Sequence, residues 1–332
     1  MKFFVSCLRF LPPELAHSVA LNGLNLIYKI GLINFLFPIP QKVKSFNYKN
    51  LTFMNQLGLA AGLDKNGDFI DALGALGFGF IEVGTVTPLA QPGNSKPRIF
   101  RFLSKQAIIN SLGFNNKGVD HLVTQIKTRK YKGILGVNIG SNKNSEGQKR
   151  INDYIECFEK VAPFSDYITI NISSPNTPNL RALHSQENLL PLFEALSIAK
   201  QKLSYSNPIF IKLSPDESTE TISLIMEEIR NYNFDGVISS NTTIDKTLLK
   251  DCDAQGLAGG LSGKPLYEKS NALLSELHSL DPNILKIGVG GVFTQEDFAK
   301  KINLGASLVQ IYTSFIYEGP QIVSKLLKST LR

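Results

Sequence analysis

The stretch Leu57-Gly58-Leu59-Ala60-Ala61-Gly62-Leu63-Asp64-Lys65-Asn66 decides the fold. A short apolar run ends in small residues, polar side chains follow at once, and an amphipathic pattern over 66–76 comes next. Working outward, the same unit recurs. The spacing predicts strands over 57–61, 80–84, 134–138, 167–171, 208–212, 236–240, 285–289 and 308–312. Helical patterns lie between them near 116–130, 149–161, 187–203, 217–232, 267–279 and 294–303, with a last one near 320–331. Eight βα units predict an α/β fold, a (β/α)8 TIM barrel. A doubly wound sheet has fewer strands and opens on a GxGxxG turn. That turn is absent, because Gly288-Val289-Gly290-Gly291-Val292-Phe293 carries Phe at the third glycine position.

In such a barrel, chemistry sits where strands end. Here the ends carry Lys65, Thr85, Asn138, Asn171, Lys212, Ser240 with Asn241, and Tyr312 with Thr313, so a polar ring is expected at one mouth, with Asp64 as its only acid. Gly290-Gly291 follows strand seven, the usual phosphate position, and lets backbone N–H groups approach an anion; its other reading is a plain tight turn. Lys65 and Lys212 would neutralise anionic groups, and Asn138, Asn171, Asn176 and Asn241 suit a heterocycle with alternating N–H and C=O groups. No carboxylate pair is evident, Ser174 has no sequence-evident histidine partner, and the four histidines lie away from strand ends, so a hydrolase is disfavoured. A phosphate grip beside an amide-rich mouth suggests FMN, with the hard chemistry belonging to the cofactor.

Composition narrows the partners. The 332 residues carry a net charge of +7, with 43% hydrophobic and 19% charged residues, too apolar for a disordered chain. Residues 1–50 hold Lys2, Arg9, Lys29, Lys42, Lys44 and Lys49 against Glu14 alone, a balance of +5 that leaves only +2 for the rest. No block of like charges suggests nucleic acid, and none is expected as a partner. The N-terminal stretch is also apolar. Pro12-Pro13-Glu14 reads as a helix start; Leu15, Val19, Ala20, Leu24, Ile27 and Gly31 follow at helical steps; Ile30–Phe37 is a further apolar run. No run reaches the length of a membrane span, and Arg9 spoils a signal peptide. Two readings stand: cationic helices lying on an anionic membrane, or a helical cap on the barrel. The expected division is 1–45 for this segment and 46–332 for the barrel. Cys7, Cys157 and Cys252 form no metal pattern, and no metal is expected.

The motifs Ala60–Lys65, Gly84–Pro88, Gln91–Asn94, Pro97–Arg101, Asn110–Asn116, Asn171–Pro178 and Gly260–Gly263 occur in order and resemble those of the dihydroorotate dehydrogenases over nearly the whole chain. Ser174, where the soluble class resembles itself in using Cys, and the N-terminal Pro13-Glu14-Leu15-Ala16-His17 are similar to the quinone-dependent class 2. The resemblance implies oxidation of dihydroorotate to orotate in pyrimidine biosynthesis, with a hydride to FMN and electrons then to a membrane quinone. It implies FMN contacts from Ala61, Gly62, Lys65, Thr85, Asn138, Asn171, Lys212, Ser240, Gly263, Gly291, Tyr312 and Thr313. It implies substrate contacts from Lys65, Asn110, Ser111, Leu112, Gly113, Phe114, Asn171, Asn176, Asn241 and Thr242. Ser174 would be the base, with Thr177, Phe114 and Lys65 assisting, and His17 and Arg101 would stand near the quinone. Ser240 and Thr313 depart mildly from the pattern, each exchanging one hydroxyl residue for the other.

A peripheral monomer on the cytoplasmic side of the cell (inner) membrane is expected. The rivals are a class 1 enzyme, a tRNA-dihydrouridine synthase, and a membrane-binding protein built on an inactive barrel. The missing Cys at position 174, the near-neutral body and the full polar ring speak against these in turn.

Overall fold

A proline at the first turn of a helix gives up only an N–H that no carbonyl would have accepted, and an acid there faces the positive end of the dipole. Pro13 and Glu14 meet both conditions. The computed structural model describes residues 8–40, 43–176, 180–250, 252 and 254–328, and in it helix α1 spans Pro13–Lys29. The apolar run after it forms one helical turn, α2 (Ile33–Leu36). Ala16, Leu21 and Leu24 of α1 are buried, and Leu21, Leu24, Ile33 and Phe37 join the main hydrophobic core. Leu15, Val19 and Leu26 remain exposed. The helix is therefore apolar on two faces. The sequence pattern placed Leu15 and Val19 on one face with Leu24; the fold separates them.

Two short strands, β1 (Phe46–Tyr48) and β2 (Leu51–Phe53), pair antiparallel. The barrel begins with β3 (Leu57–Leu59) and β4 (Phe80–Val86), with α3 (Ile70–Gly74) between them. The chain then departs from the simple repeat through β5 (Ile99–Phe102) and β6 (Ala107–Asn110) before α4 (Val119–Thr128). It resumes with β7 (Ile134–Ile139), α5 (Gly147–Val161), β8 (Tyr167–Asn171), α6 (Gln186–Lys202), β9 (Ile209–Leu213), α7 (Thr219–Asn231) and β10 (Gly236–Ser239). A second departure, β11 (Gly260–Gly263), precedes α8 (Tyr267–Leu280). Then come β12 (Leu285–Val289), α9 (Gln295–Asn303), β13 (Leu308–Ile311), α10 (Thr313–Glu318) and α11 (Gln321–Leu327). The eight strands β3, β4, β7, β8, β9, β10, β12 and β13 form a closed parallel barrel, sealed by β13 against β3. The eight expected strands are these eight, each within two residues at either end. The sheet β11-β6-β5 was not expected, and its long-range pairing joins Asn110 to Gly260. Caps fix several helix starts: Ser218 Oγ accepts the Thr221 N–H, and Thr294 with Asp297 forms a reciprocal capping box.

Alternate residues point into the barrel. At its floor, rings pack edge to face: Phe53 with Phe80 at 5.4 Å and Tyr167 with Phe210 at 5.3 Å between centroids. Each such pair adds about 0.5–1.5 kcal/mol beyond area burial. Gly58 and Gly136 make the room; a Cβ on either would strike the Phe80 or Tyr167 ring. One residue pair higher, the interior turns polar at Glu82, Asn138, Asn171, Lys212 and Gln310.

Candidate active site

The floor of aromatic rings shuts one end of the barrel, so only the carboxyl end opens. There a cavity collects the strand ends. Of the expected cofactor residues, Ala61, Gly62, Lys65, Thr85, Asn171, Lys212, Ser240, Gly263, Gly291, Tyr312 and Thr313 line it. Asn138 does not; it is fully buried one layer below. Of the expected substrate residues, Asn110, Leu112, Gly113, Phe114, Asn176, Asn241 and Thr242 line it with Lys65 and Asn171. Ser111 does not line it; its backbone N–H donates to Arg98 O at 2.8 Å. Ser262, Phe293 and Gln310 also line the cavity and were not singled out. Ser262 comes from β11, and Thr313 Oγ1 donates to its hydroxyl at 2.8 Å.

Asp64 is not part of the ring. It is buried beneath its own loop, where it accepts the backbone N–H groups of Asp68 at 3.0 Å and Phe69 at 2.8 Å, and burial pushes its carboxyl up to about 6. The acid inside the barrel is Glu82, fully buried on β4. Its one sequence signal is a charged residue in the middle of the apolar run Phe80–Val83.

The mouth is short of negative charge. Among the described residues, neither Lys65 nor Lys212 has a carboxylate within ion-pair distance. Burial pulls Lys65 down to about 8, helped by Arg98 and opposed by Glu14 and Asp64. Burial lowers Lys212, and the Glu82 charge opposes it. Among the described residues, three buried polar atoms of the lining have no partner: Asn176 Oδ1, Thr242 Oγ1 and Gln310 Oε1. Unpaired buried polar atoms are costly, so they mark a place for a ligand. At Gly291, φ is +75° and a Cβ would stand 2.5 Å from Tyr267 Cβ, so the turn is both left-handed and tight. Two cations, unpaired acceptors and a glycine turn without side chains fit a phosphate-bearing heterocycle such as FMN.

The loop after β8 brings Ser174 to the same cavity. Its hydroxyl oxygen accepts the Asn176 N–H at 3.3 Å. Phe114, at φ +52°, packs nearby, close to Gly140 and Thr85. Thr177 lies outside the described residues. A second set of contacts holds the loops in place. Asn94 Nδ2 donates to Ser111 O at 2.9 Å and to Asn176 O at 3.2 Å. Buried Arg98 in turn donates to Pro92 O at 2.6 Å and Asn94 O at 2.8 Å, and pairs with Glu14 of α1 at 2.6 Å.

Between α1 and the barrel lies a second, largely apolar cavity of about 920 Å³. Its size falls in the range of small-molecule pockets. Lys65, Asn110, Leu112 and Tyr312 line both cavities, so the two share a wall. His17 and Arg101 line the second one. Burial, with Lys65 nearby, pulls His17 down to about 4, so it is neutral near pH 7. The Arg101 guanidinium donates to Leu8 O at 3.3 Å, Arg9 O at 3.1 Å and Leu11 O at 2.5 Å, tying down the segment before α1.

Comparison with known proteins gives a consistent picture. The family model for dihydroorotate dehydrogenase matches residues 44–331. The chain is 46% identical over 324 residues to a dihydroorotate dehydrogenase (quinone) of Marinobacter nauticus, covering 96% of this chain and 95% of that one. It is 45% identical over 330 residues to the protein of the same name from Saccharophagus degradans, covering 97% and 96%. Among solved structures, it is similar to the Eimeria tenella dihydroorotate dehydrogenase in complex with ferulenol. There the TM-score is 0.87 and the identity 34%, over 96% of this chain and 90% of that one.

Proposed function

The chain belongs to the dihydroorotate dehydrogenase family, in its quinone-dependent branch, and from that premise we propose that FMN occupies the barrel mouth, that Ser174 is the base, and that the quinone enters beneath α1. The protein oxidises dihydroorotate to orotate in pyrimidine biosynthesis, with a quinone as acceptor. The observation that carries the residue assignment is the shared wall: two cavities, one ringed by polar strand ends and one largely apolar, meet at Lys65 and Tyr312.

Lys212, Thr85 and Asn171 would hold the flavin, and the Gly290-Gly291 turn with Thr313 its phosphate. When bound, FMN supplies the acceptor for the hydride leaving C6 of dihydroorotate and the relay toward the quinone. Ser174 takes the proton from C5. A serine hydroxyl is a weak base, so its own proton needs an exit; Thr177, with Phe114 shielding the path, is the proposed one. Lys65 and the amides of Asn110, Asn176 and Asn241 hold the anionic substrate ring and stabilise the negative charge that develops on it, while Asn171 presents its carbonyl oxygen as an acceptor. In the second cavity, neutral His17 offers a hydrogen bond to a quinone oxygen rather than a charge, and Arg101 shapes the entrance.

Residues 1–45 would form the membrane-facing segment and 46–332 the barrel. Within this segment Phe10, Leu15, Leu26, Ile30 and Phe35 are exposed. Exposed apolar residues so grouped mark an interaction surface. No helix among the described residues is long and apolar enough to cross a membrane. We assign the surface to peripheral contact with an anionic bilayer on the cytoplasmic side of the inner membrane, by a monomer without nucleic-acid partners. Turnover with dihydroorotate and ubiquinone or menaquinone analogues, compared with fumarate and NAD, tests the reading. Quinone reduction alone is expected; activity with fumarate but not quinone would overturn it.

A further inference from the structure

Among the described residues, Glu82 is a charged group at the centre of the barrel that the reaction as described does not use. It is fully buried above the aromatic floor. Among the described residues no cation lies within ion-pair distance. Three neutral donors meet it instead: Asn138 Nδ2 at 2.8 Å on Oε1, and Gln310 Nε2 at 2.8 Å and the Tyr167 hydroxyl at 3.1 Å on Oε2.

An ionised carboxylate only accepts hydrogen bonds. That one-sidedness has consequences along the row above it. Because Glu82 takes the amide NH2 of Asn138, the Asn138 oxygen must face the other way. There it accepts the Thr85 hydroxyl at 2.6 Å and Asn171 Nδ2 at 3.3 Å. Asn171 Nδ2 also donates to Thr85 Oγ1 at 3.0 Å. With its NH2 committed downward, Asn171 turns its oxygen to the mouth, where it accepts Asn241 Nδ2 at 3.3 Å and the Ser173 N–H at 3.3 Å. Each amide could be reversed alone, but not while the carboxylate anchors the row.

We propose that Glu82 is a positioning residue for the reaction: its carboxylate sets the donor–acceptor direction of the Asn138–Thr85–Asn171–Asn241 row that reaches the mouth. This deepens the reading of the mouth as the FMN and dihydroorotate site and rests on it.

Glu82→Gln is nearly isosteric, removes the charge and can present either an N–H or a C=O to Asn138. In the holoenzyme it should weaken orotate binding, followed by the flavin absorbance shift, at least tenfold. It should also raise the flavin reduction potential, by about 30 mV for each tenfold change in the two-electron equilibrium. Tyr167→Phe removes a donor from the same carboxylate but leaves both the charge and the Asn138 contact; it should move neither readout. Equal shifts from Tyr167→Phe and Glu82→Gln would assign the effect to loosened packing and overturn the proposal. Asn138→Ala breaks the row one step from the carboxylate and leaves Glu82 in place; it should weaken orotate binding as Glu82→Gln does, and unchanged orotate affinity in Asn138→Ala would overturn the proposal even if Glu82→Gln does not fold. Wild-type protein that neither carries nor takes up FMN would instead overturn the reading of the mouth, and this proposal with it.

Discussion

Gly291→Ala puts the phosphate assignment to a quantitative test. At φ +75°, an L side chain costs about 1–2 kcal/mol. The new Cβ would also stand 2.5 Å, 2.6 Å and 2.9 Å from Tyr267 Cβ, Cα and N. Two of these three atoms are the backbone that opens α8, which has no rotamer to escape into. Overpacking of this kind costs about 1–3 kcal/mol more. If the turn relieves the strain by moving off the phosphate, the loss falls on FMN binding. A loss of about 2–5 kcal/mol is roughly thirty-fold to a few thousand-fold in Kd. The assay is titration of apoprotein with FMN and, in parallel, with riboflavin, which has the same rings without the phosphate. FMN should lose most of its advantage over riboflavin. Gly256→Ala is the control, since no atom lies within 4 Å of the new Cβ. Equal weakening of both ligands, or none, would refute the reasoning.

Ser174→Ala should leave a yellow protein whose flavin is reduced by dihydroorotate about 10²–10⁴-fold more slowly in stopped flow; near-wild-type reduction at neutral pH removes Ser174 as base. Lys65 is pulled down to about 8, so the ammonium proposed to face anionic orotate is present below that pH and lost above it. Orotate affinity should then fall by up to about tenfold per pH unit above this point, and a flat profile would exclude the Lys65 contact. Glu14→Gln takes the carboxylate from buried Arg98, whose remaining bonds hold the Asn94 loop. It should cost about 1–3 kcal/mol in thermal unfolding and raise the KM for dihydroorotate; a raised quinone KM alone would sever the link. Leu26→Asp with Phe35→Asp in the N-terminal segment should lower binding to anionic vesicles, measured by sedimentation, and unchanged sedimentation would argue against these residues as the membrane contact.

The barrel was legible because its signal is local and repeated: a short apolar run, then a polar strand end, eight times. The mouth followed from the strand ends, so residues such as Lys65, Asn171 and Lys212 could be named in advance. What escaped was non-local. β6 pairs with β11 some 150 residues away in the chain, and neither strand is more than four residues long. Ser262 was hidden with them. Glu82 was missed because a lone acid inside an apolar strand has no periodic mark; only the closed barrel shows that its carboxylate has nowhere to go but inward. The double-faced α1 defeated a pattern that assumes one buried stripe. Ser111 and Asn138 carried the right chemistry, but their side chains lie off the cavity wall.

The wall shared by the two cavities has a kinetic consequence. Dihydroorotate and quinone would reach the flavin from different sides, with Lys65 and Tyr312 between them, so neither needs the other to leave before it arrives. The order of events is then set by the redox state of the flavin and not by steric exclusion. A molecule lodged beneath α1 would stop turnover while the pyrimidine side stays open, leaving the enzyme able to be reduced once and then held there. Such a compound would be noncompetitive toward dihydroorotate, yet its presence would still register in the environment of Lys65.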